Sequence, residues 1–587
     1  MMGVLAGRTV AAATCLLLGL LALAACQERR PRELADGIYH NGRVYTVDPE
    51  DSWAQAIAVK NGRLLAVGSD QQAARFRGEQ TVDVDLQGRM VMPGIHDMHL
   101  HPLKGSIKKH YECSFSSALG MDDILQAVAD CAAQLEPGQW LRGGQWPSHL
   151  LKSERPPTRQ LLDAITTEHP VFLLDWAVHN AWVNSHALER LGIGPETANP
   201  PGGEIQRDPN SGLATGVLLD NAAYDAMARL PAYSPEQNAA AAALAIDEFL
   251  SLGITAFKDA MTTSDALTAY RTIDQEMGLK ARVHTSLAWK SSWSTSHDEE
   301  LANIEARASY ASPMLRTEFA KIMLDGVPLT RTSALLEPYL PGGGHGEDFR
   351  GELMFDVDEL NRDVAWLDAQ GLTIKIHATG DRSARVALDA IEYARRSNGD
   401  SGLLHEISHA QFLDDADLPR FRDLGVAAEM CPILWYPTAS DDARAAVLGA
   451  ERAGRMWPMR SLIDSGALVF YGSDWPAVVP NPNPWPGIEA MVTRRNPYTD
   501  AAASQWPEQA ISLAEAVRVV TINGAAAGKS SSETGSLEAG KAADFIVLDR
   551  NIFEVPIEQV GDTRVLLTVV GGAVRHRSGV LAGEGSP

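Results

Sequence analysis

Short apolar runs alternate with longer stretches of helical periodicity through the middle of this 587-residue chain, the pattern of parallel βα units. The strand candidates are Met90–Pro93, Ile254–Lys258, Arg282–Leu287, Phe319–Leu324, Thr373–Ile376, Glu406–His409, Val426–Glu429 and Leu468–Tyr471, and eight is the number that closes a TIM barrel. The gap between the first two far exceeds a usual βα loop. It predicts a subdomain inserted over residues 104–250, with an apolar strand at Pro170–Trp176 and helices such as Ala239–Leu250. Both chain ends read as short strands instead. Ile38–His40 and Val44–Val47 flank Asn41-Gly42, Ala56–Val59 and Leu64–Val67 flank Asn61-Gly62, and Phe545–Leu548 and Val565–Val570 lead to Gly571-Gly572. Asn-Gly between apolar runs is a strong hairpin signal. The expected architecture is α/β: a (β/α)8 barrel over residues 91–527 with a large insertion after its first strand. A small β-sandwich is built from residues 37–90 and 528–587.

The first 25 residues stand apart. Arg8 is followed by the apolar run Ala11–Ala25, too short to span a bilayer comfortably and of the length of a signal-peptide core. It ends in Leu23-Ala24-Ala25-Cys26, which resembles the lipobox of bacterial lipoproteins. That resemblance implies lipidation at Cys26, a tether over residues 26–36 and a periplasmic, membrane-anchored protein. Gln27 in place of the inner-membrane retention residue Asp leans toward the outer membrane. Export to an oxidising compartment permits a Cys113–Cys131 disulfide and leaves Cys431 odd and buried. Lys and Arg number 51 against 75 Asp and Glu, a net charge of −24 that argues against a nucleic-acid partner.

Candidate chemistry gathers at the strand ends. In Met92-Pro-Gly-Ile-His-Asp-Met-His-Leu-His101, His99 and His101 stand two apart, so on a strand both face one side and can meet a metal. The fifth strand candidate runs into His377, the sixth ends in His409, the eighth runs into Asp474, and the fourth carries Lys321. The C-terminal end of such a barrel is where its chemistry resides.

With these residues the sequence resembles the amidohydrolase superfamily over nearly its whole length. Val183-Asn184-Ser185, Asp325-Gly326 with Arg331-Thr332, His377-Ala-Thr-Gly-Asp381 and Gly472-Ser-Asp-Trp-Pro476 are similar to the branch that contains N-substituted formamide deformylase. His96 and Pro328-Leu329 depart from that branch. The resemblance implies two divalent metal ions, one on His99, His101 and Asp474 and one on His377 and His409, with carboxylated Lys321 as the bridge. Zinc suits such ligands, with nickel, manganese and iron as alternatives. It implies a metal-activated hydroxide attacking the carbonyl of a small-molecule amide, with Asp474 as general base and then acid at the C–N bond.

Further candidates are His179 as a donor to the substrate carbonyl or a structural histidine, and Asp381 as a residue orienting His377. Arg331 pairs with substrate or with Asp325. Trp146, Trp289 and Trp475 line an apolar pocket or belong to the core. Gly380 stands where related deaminases carry a Glu, which disfavours deamination. Ester and carbamate hydrolysis at the same centre is the alternative reaction. A non-catalytic binding lipoprotein is the alternative class, and the presence of all six ligands weighs against it. If the chain self-associates, a homodimer is the expected form.

Overall fold

The computed structural model describes residues 33–578 except 176–178, 292–293, 295, 343, 433–434, 438–440, 478, 480 and 500–501. The expected signal segment, residues 1–25, and the lipidation candidate Cys26 lie outside the described residues. At the centre is an eight-stranded, all-parallel sheet in sequential order: β1 (Ile95–Leu100), β2 (Ile254–Thr262), β3 (Arg282–Ala288), β4 (Leu315–Met323), β5 (Thr373–Ala378), β6 (His405–His409), β7 (Val426–Met430) and β8 (Leu468–Tyr471). Residues of these strands are buried on both faces, which is why they read as near-continuous apolar runs rather than alternating ones. The sheet closes where the chain beyond β8 returns to β1. Asp474 N donates to His99 O at 2.7 Å, and Ser473 N donates to the Asp97 carboxylate at 3.0 Å. This is the TIM barrel expected from the strand pattern.

One assignment differs. Met90–Pro93 is a strand, but it pairs with Arg43–Tyr45 and Phe545–Leu548, and the first barrel strand is Ile95–Leu100. Gly94 joins the two. A Cβ there would sit 2.1 Å from Thr255 Oγ1, so only glycine lets the chain pass against β2 as it leaves one sheet for the other.

Both chain ends build two sheets that pack on a shared core of Tyr39, Val44, Ile57, Val91, Phe545, Val547 and Leu567. Asn61-Gly62 closes a true hairpin between Ala56–Lys60 and Arg63–Gly68, both turn residues having positive φ as the tight turn requires. Asn41-Gly42 does not. Gly37–His40 pairs within the four-stranded sheet and Arg43–Tyr45 within the six-stranded one, so this turn carries the chain between layers.

The insertion forms a mixed six-stranded sheet with Cys113–Ser114 and Gly203–Arg207 as its edge strands, and separate apolar clusters that include Trp146, Val171 and Trp182 in one and Phe172, Ala181 and Leu218 in the other. The structure joins Cys113 to Cys131, tying the edge strand to helix Met121–Ala132. Helix Pro235–Ser251, started by a Ser234–Gln237 capping box, packs its Ala242, Ile246 and Phe249 into the barrel core rather than into the insertion.

Candidate metal centre

β1 presents His99 into the barrel, and His101 follows its last residue, two positions on and on the same side. Their Nε2 atoms each lie 3.5 Å from Asp474 Oδ1. That is long for a hydrogen bond. It matches two ligand atoms on one tetrahedral ion, which stand about 3.4 Å apart when each is about 2.0–2.2 Å from the metal. The His409 ring lies 4.8 Å from that of His99 and 4.4 Å from that of His377. Lys321 Nζ reaches in from β4 and donates to Ser408 Oγ at 3.0 Å. The structure thus brings all six of these candidates to one end of the barrel. The ligand atoms of His99, His101 and Asp474 form one donor group, and those of His99, His409 and Glu429 form another.

The backbone at this end is strained at two of the candidate ligands. Asp474 has φ 56° and His409 φ 71°, left-handed values that favour glycine, and each costs about 1–3 kcal/mol. The tautomers are set from behind. Nδ1 of His99 donates to Glu429 Oε2 in a short contact, leaving Nε2 toward Asp474. His377 donates through Nε2 to Gly326 O at 3.2 Å, leaving Nδ1 as its lone-pair nitrogen. Gly326 is fixed in turn because the Asp325 carboxylate accepts from Thr379 N, Gly380 N and Ala334 N, each at 3.0 Å, and from Ser383 Oγ at 2.6 Å.

Electrostatics prepare the same end for cations. Burial, then the Lys321 and Lys375 charges, holds His99 well below the usual imidazole range. Burial, then His377, does the same for His409, and burial followed by Lys321 takes His377 to about 3. All three are therefore neutral at physiological pH, the state that binds metal. Burial, then the charge of Lys375, lowers the Lys321 ammonium to about 7.

Beneath the centre the barrel interior holds a column of buried charges. Lys258 of β2 contacts Glu406 of β6, whose Oε2 lies 2.9 Å from Lys375 Nζ of β5. Lys375 stands 3.7 Å from Glu429 of β7, the acceptor for His99. Glu429 and Cys431 were not among the sequence candidates. For Glu429 the available signal was a charge inside an apolar strand, as in β2, β5 and β6, since a buried charge must be paired.

Several secondary candidates do other work. Trp146 is buried in the core of the insertion, its Nε1 bonded to Leu173 O. Trp289 stacks on Trp366 at 5.0 Å and donates to Asp363 at 3.0 Å, which places it against the helical layer. Trp475 packs edge-on against Phe249, and its carbonyl accepts from His101 N at 2.8 Å, so its backbone rather than its ring serves the centre. Arg331 donates to Leu340 O at 2.6 Å and leaves Asp325 to its own donors. Asp381 caps Leu336 N at 2.7 Å instead of orienting His377. The exposed His179 ring meets Tyr224 Oη at 2.8 Å and faces Asp220, within the insertion. His96 is buried and bonds Gly94 O and Thr534 Oγ1, each at 3.2 Å.

A cavity of about 700 Å³ lies against His101, between helix Pro102–His110, the inserted sheet and the end of β2, with Leu103, Ile107, Asp175, Tyr233 and Met261 among its walls.

The chain is similar to N-substituted formamide deformylase of Arthrobacter pascens, 30% identical over 93% of this chain and 99% of the relative. It is also 30% identical to Protein LONG AFTER FAR-RED 3 of Arabidopsis thaliana, over 92% of this chain and 91% of the relative. Among solved structures, a metal-dependent hydrolase from Pyrococcus horikoshii superposes with a TM-score of 0.72 at 23% identity, covering 89% of this chain and 99% of that one, and shares the fold. The model of the amidohydrolase family matches residues 83–576. A strand-end cluster of four histidines, one carboxylate and one buried lysine, on a chain matched over that length, makes this protein a member of the amidohydrolase family.

Proposed function

We propose that the protein hydrolyses the C–N bond of an uncharged N-substituted amide, formamides foremost, at a centre of two divalent ions. The observation that carries the proposal is the convergence of His99 Nε2 and His101 Nε2 on Asp474 Oδ1, each at 3.5 Å. The formamide preference rests on the similarity to the deformylase along nearly its whole length. His99, His101 and Asp474 would hold one ion, His377 and His409 the second, and Lys321 would join them as a carbamate. The lowered ammonium of Lys321 and its burial among imidazoles support that role, because only a neutral amine takes up carbon dioxide and only an anionic side chain suits two cations. Bound there, the ions acidify water and polarise the scissile carbonyl.

The remaining steps belong to the chain. Asp474, held by its own backbone bond to His99 O, takes the proton of the attacking water and returns it to the departing nitrogen. Glu429 and Gly326 keep the two histidines from turning. The cavity beside His101 receives the substituent and keeps bulk water off one face of the amide. Expected on a panel of N-substituted formamides is release of formate and amine, abolished by chelation and restored by zinc. Formate release at an unchanged rate after chelation would contradict the proposal.

The same reading places the enzyme outside the cytoplasm, tethered through a lipid on Cys26. The lipobox-like Leu-Ala-Ala-Cys and the Cys113–Cys131 disulfide, a bond typical of oxidising compartments, support it. A Cys26→Ser chain should shift from the membrane to the soluble fraction. Its retention in the membrane would count against the anchor.

A further inference from the structure

Cys431 is the one cysteine among the described residues outside a disulfide, and it is fully buried at the C-terminal end of β7. It does not stand alone. Its Sγ lies 3.5 Å from His409 Nδ1, and the ligand atoms of His409, Cys431 and Asp474 all fall within 4.8 Å of one another. On a tetrahedral ion with a metal–sulfur distance of about 2.3 Å and a metal–nitrogen distance of about 2.0 Å, sulfur and nitrogen stand about 3.5 Å apart. The thiol meets that spacing while still donating to Glu429 Oε1 at 3.2 Å.

We infer that Cys431 is a metal ligand, forming with His409 and Asp474 a sulfur-containing site inside the centre that the imidazole, carboxylate and lysine set does not describe. The inference rests on the metal-centre reading above and adds a donor to it. On binding, the ion takes the place of the thiol proton, which is released to the buffer. Neutral His409 supplies its ring nitrogen and Asp474 an oxygen. Thiolate is a soft donor, so this half of the centre favours zinc, cobalt or cadmium over magnesium or manganese. It also explains why a thiol is kept in a pocket of histidines and carboxylates, where an aliphatic side chain would fill the same space without a polar atom to satisfy.

The test is the electronic spectrum of the full chain loaded with Co(II), with cobalt content measured on the same sample. In the wild-type protein a sulfur-to-cobalt charge-transfer band in the near ultraviolet should accompany the visible ligand-field bands. In Cys431→Ser and Cys431→Ala the charge-transfer band should vanish while the ligand-field bands remain, and cadmium affinity should fall at least about tenfold. Wild-type protein at full cobalt occupancy with ligand-field bands alone would overturn the assignment of Cys431 and leave the metal centre standing. Wild-type protein that takes up no cobalt would overturn the centre itself, and this site with it. The wild-type spectrum decides the question even if a variant fails to fold.

Discussion

Replacing Asp474 with Asn should leave a folded, metal-loaded protein whose kcat on an N-substituted formamide is lower by about 10²–10⁴-fold, with little change in KM. The carboxamide keeps an oxygen in the position that faces both His99 and His101 at 3.5 Å, so the ions retain their ligand. It has no basic lone pair to take the proton of the attacking water and none to hand to the leaving nitrogen. The loss therefore falls on the chemical step rather than on binding. Single-turnover kinetics on chain reconstituted with zinc, with metal content measured in parallel, gives the result. A variant with full metal and wild-type kcat would remove Asp474 from proton transfer.

The second large effect lies below the centre. Glu406 is completely buried between two lysines that are themselves shielded from solvent, Lys258 and Lys375. Burial lowers the Lys258 ammonium to about 8, with the charge of Glu406 acting against that fall. Glu406→Gln removes the one negative charge that, among the described residues, both lysines contact and should cost about 3–5 kcal/mol of stability, because an uncompensated charge is left in the barrel interior. The urea midpoint, followed by circular dichroism, reads it. The pair Lys258→Met with Glu406→Leu removes one charge of each sign and leaves Lys375 facing Glu429 at 3.7 Å. It should recover most of the loss. A Glu406→Gln protein as stable as wild type would show that the column is neutralised by something other than this pairing.

Most of the barrel was legible in the sequence because strands such as β2, β7 and β8 are largely buried and stand out as compact apolar runs. The ligand candidates were legible because the fold gives each strand end one position facing the centre. Where runs belong to different layers, local pattern was not enough. Met90–Pro93 and Ile95–Leu100 are nearly contiguous, and only the close approach of Gly94 to Thr255 separates a sandwich strand from a barrel strand. Asn41-Gly42 has the hairpin signal of Asn61-Gly62, yet its flanking strands find partners in different sheets. That choice is made by tertiary pairing.

Secondary site residues were the least legible, for a related reason. A tryptophan near a barrel end reads the same whether it lines a cavity or packs under a helix, and Trp146, Trp289 and Trp475 all pack. The residues that set the histidine tautomers lie far off in the chain. Glu429 is 330 positions from His99, and no local spacing links them. A charge within an apolar strand was the one available mark of Lys258, Lys375, Glu406 and Glu429, and it becomes specific only when the barrel shows which charges meet.

The most direct test of the metal-dependent centre is elemental analysis of the chain truncated before Cys26 and purified without chelator, beside His99→Ala and Lys321→Ala. The account predicts about two divalent ions per wild-type chain and a lower content in both variants. A wild-type chain that holds no metal under any loading condition, or a content that neither substitution changes, would contradict it.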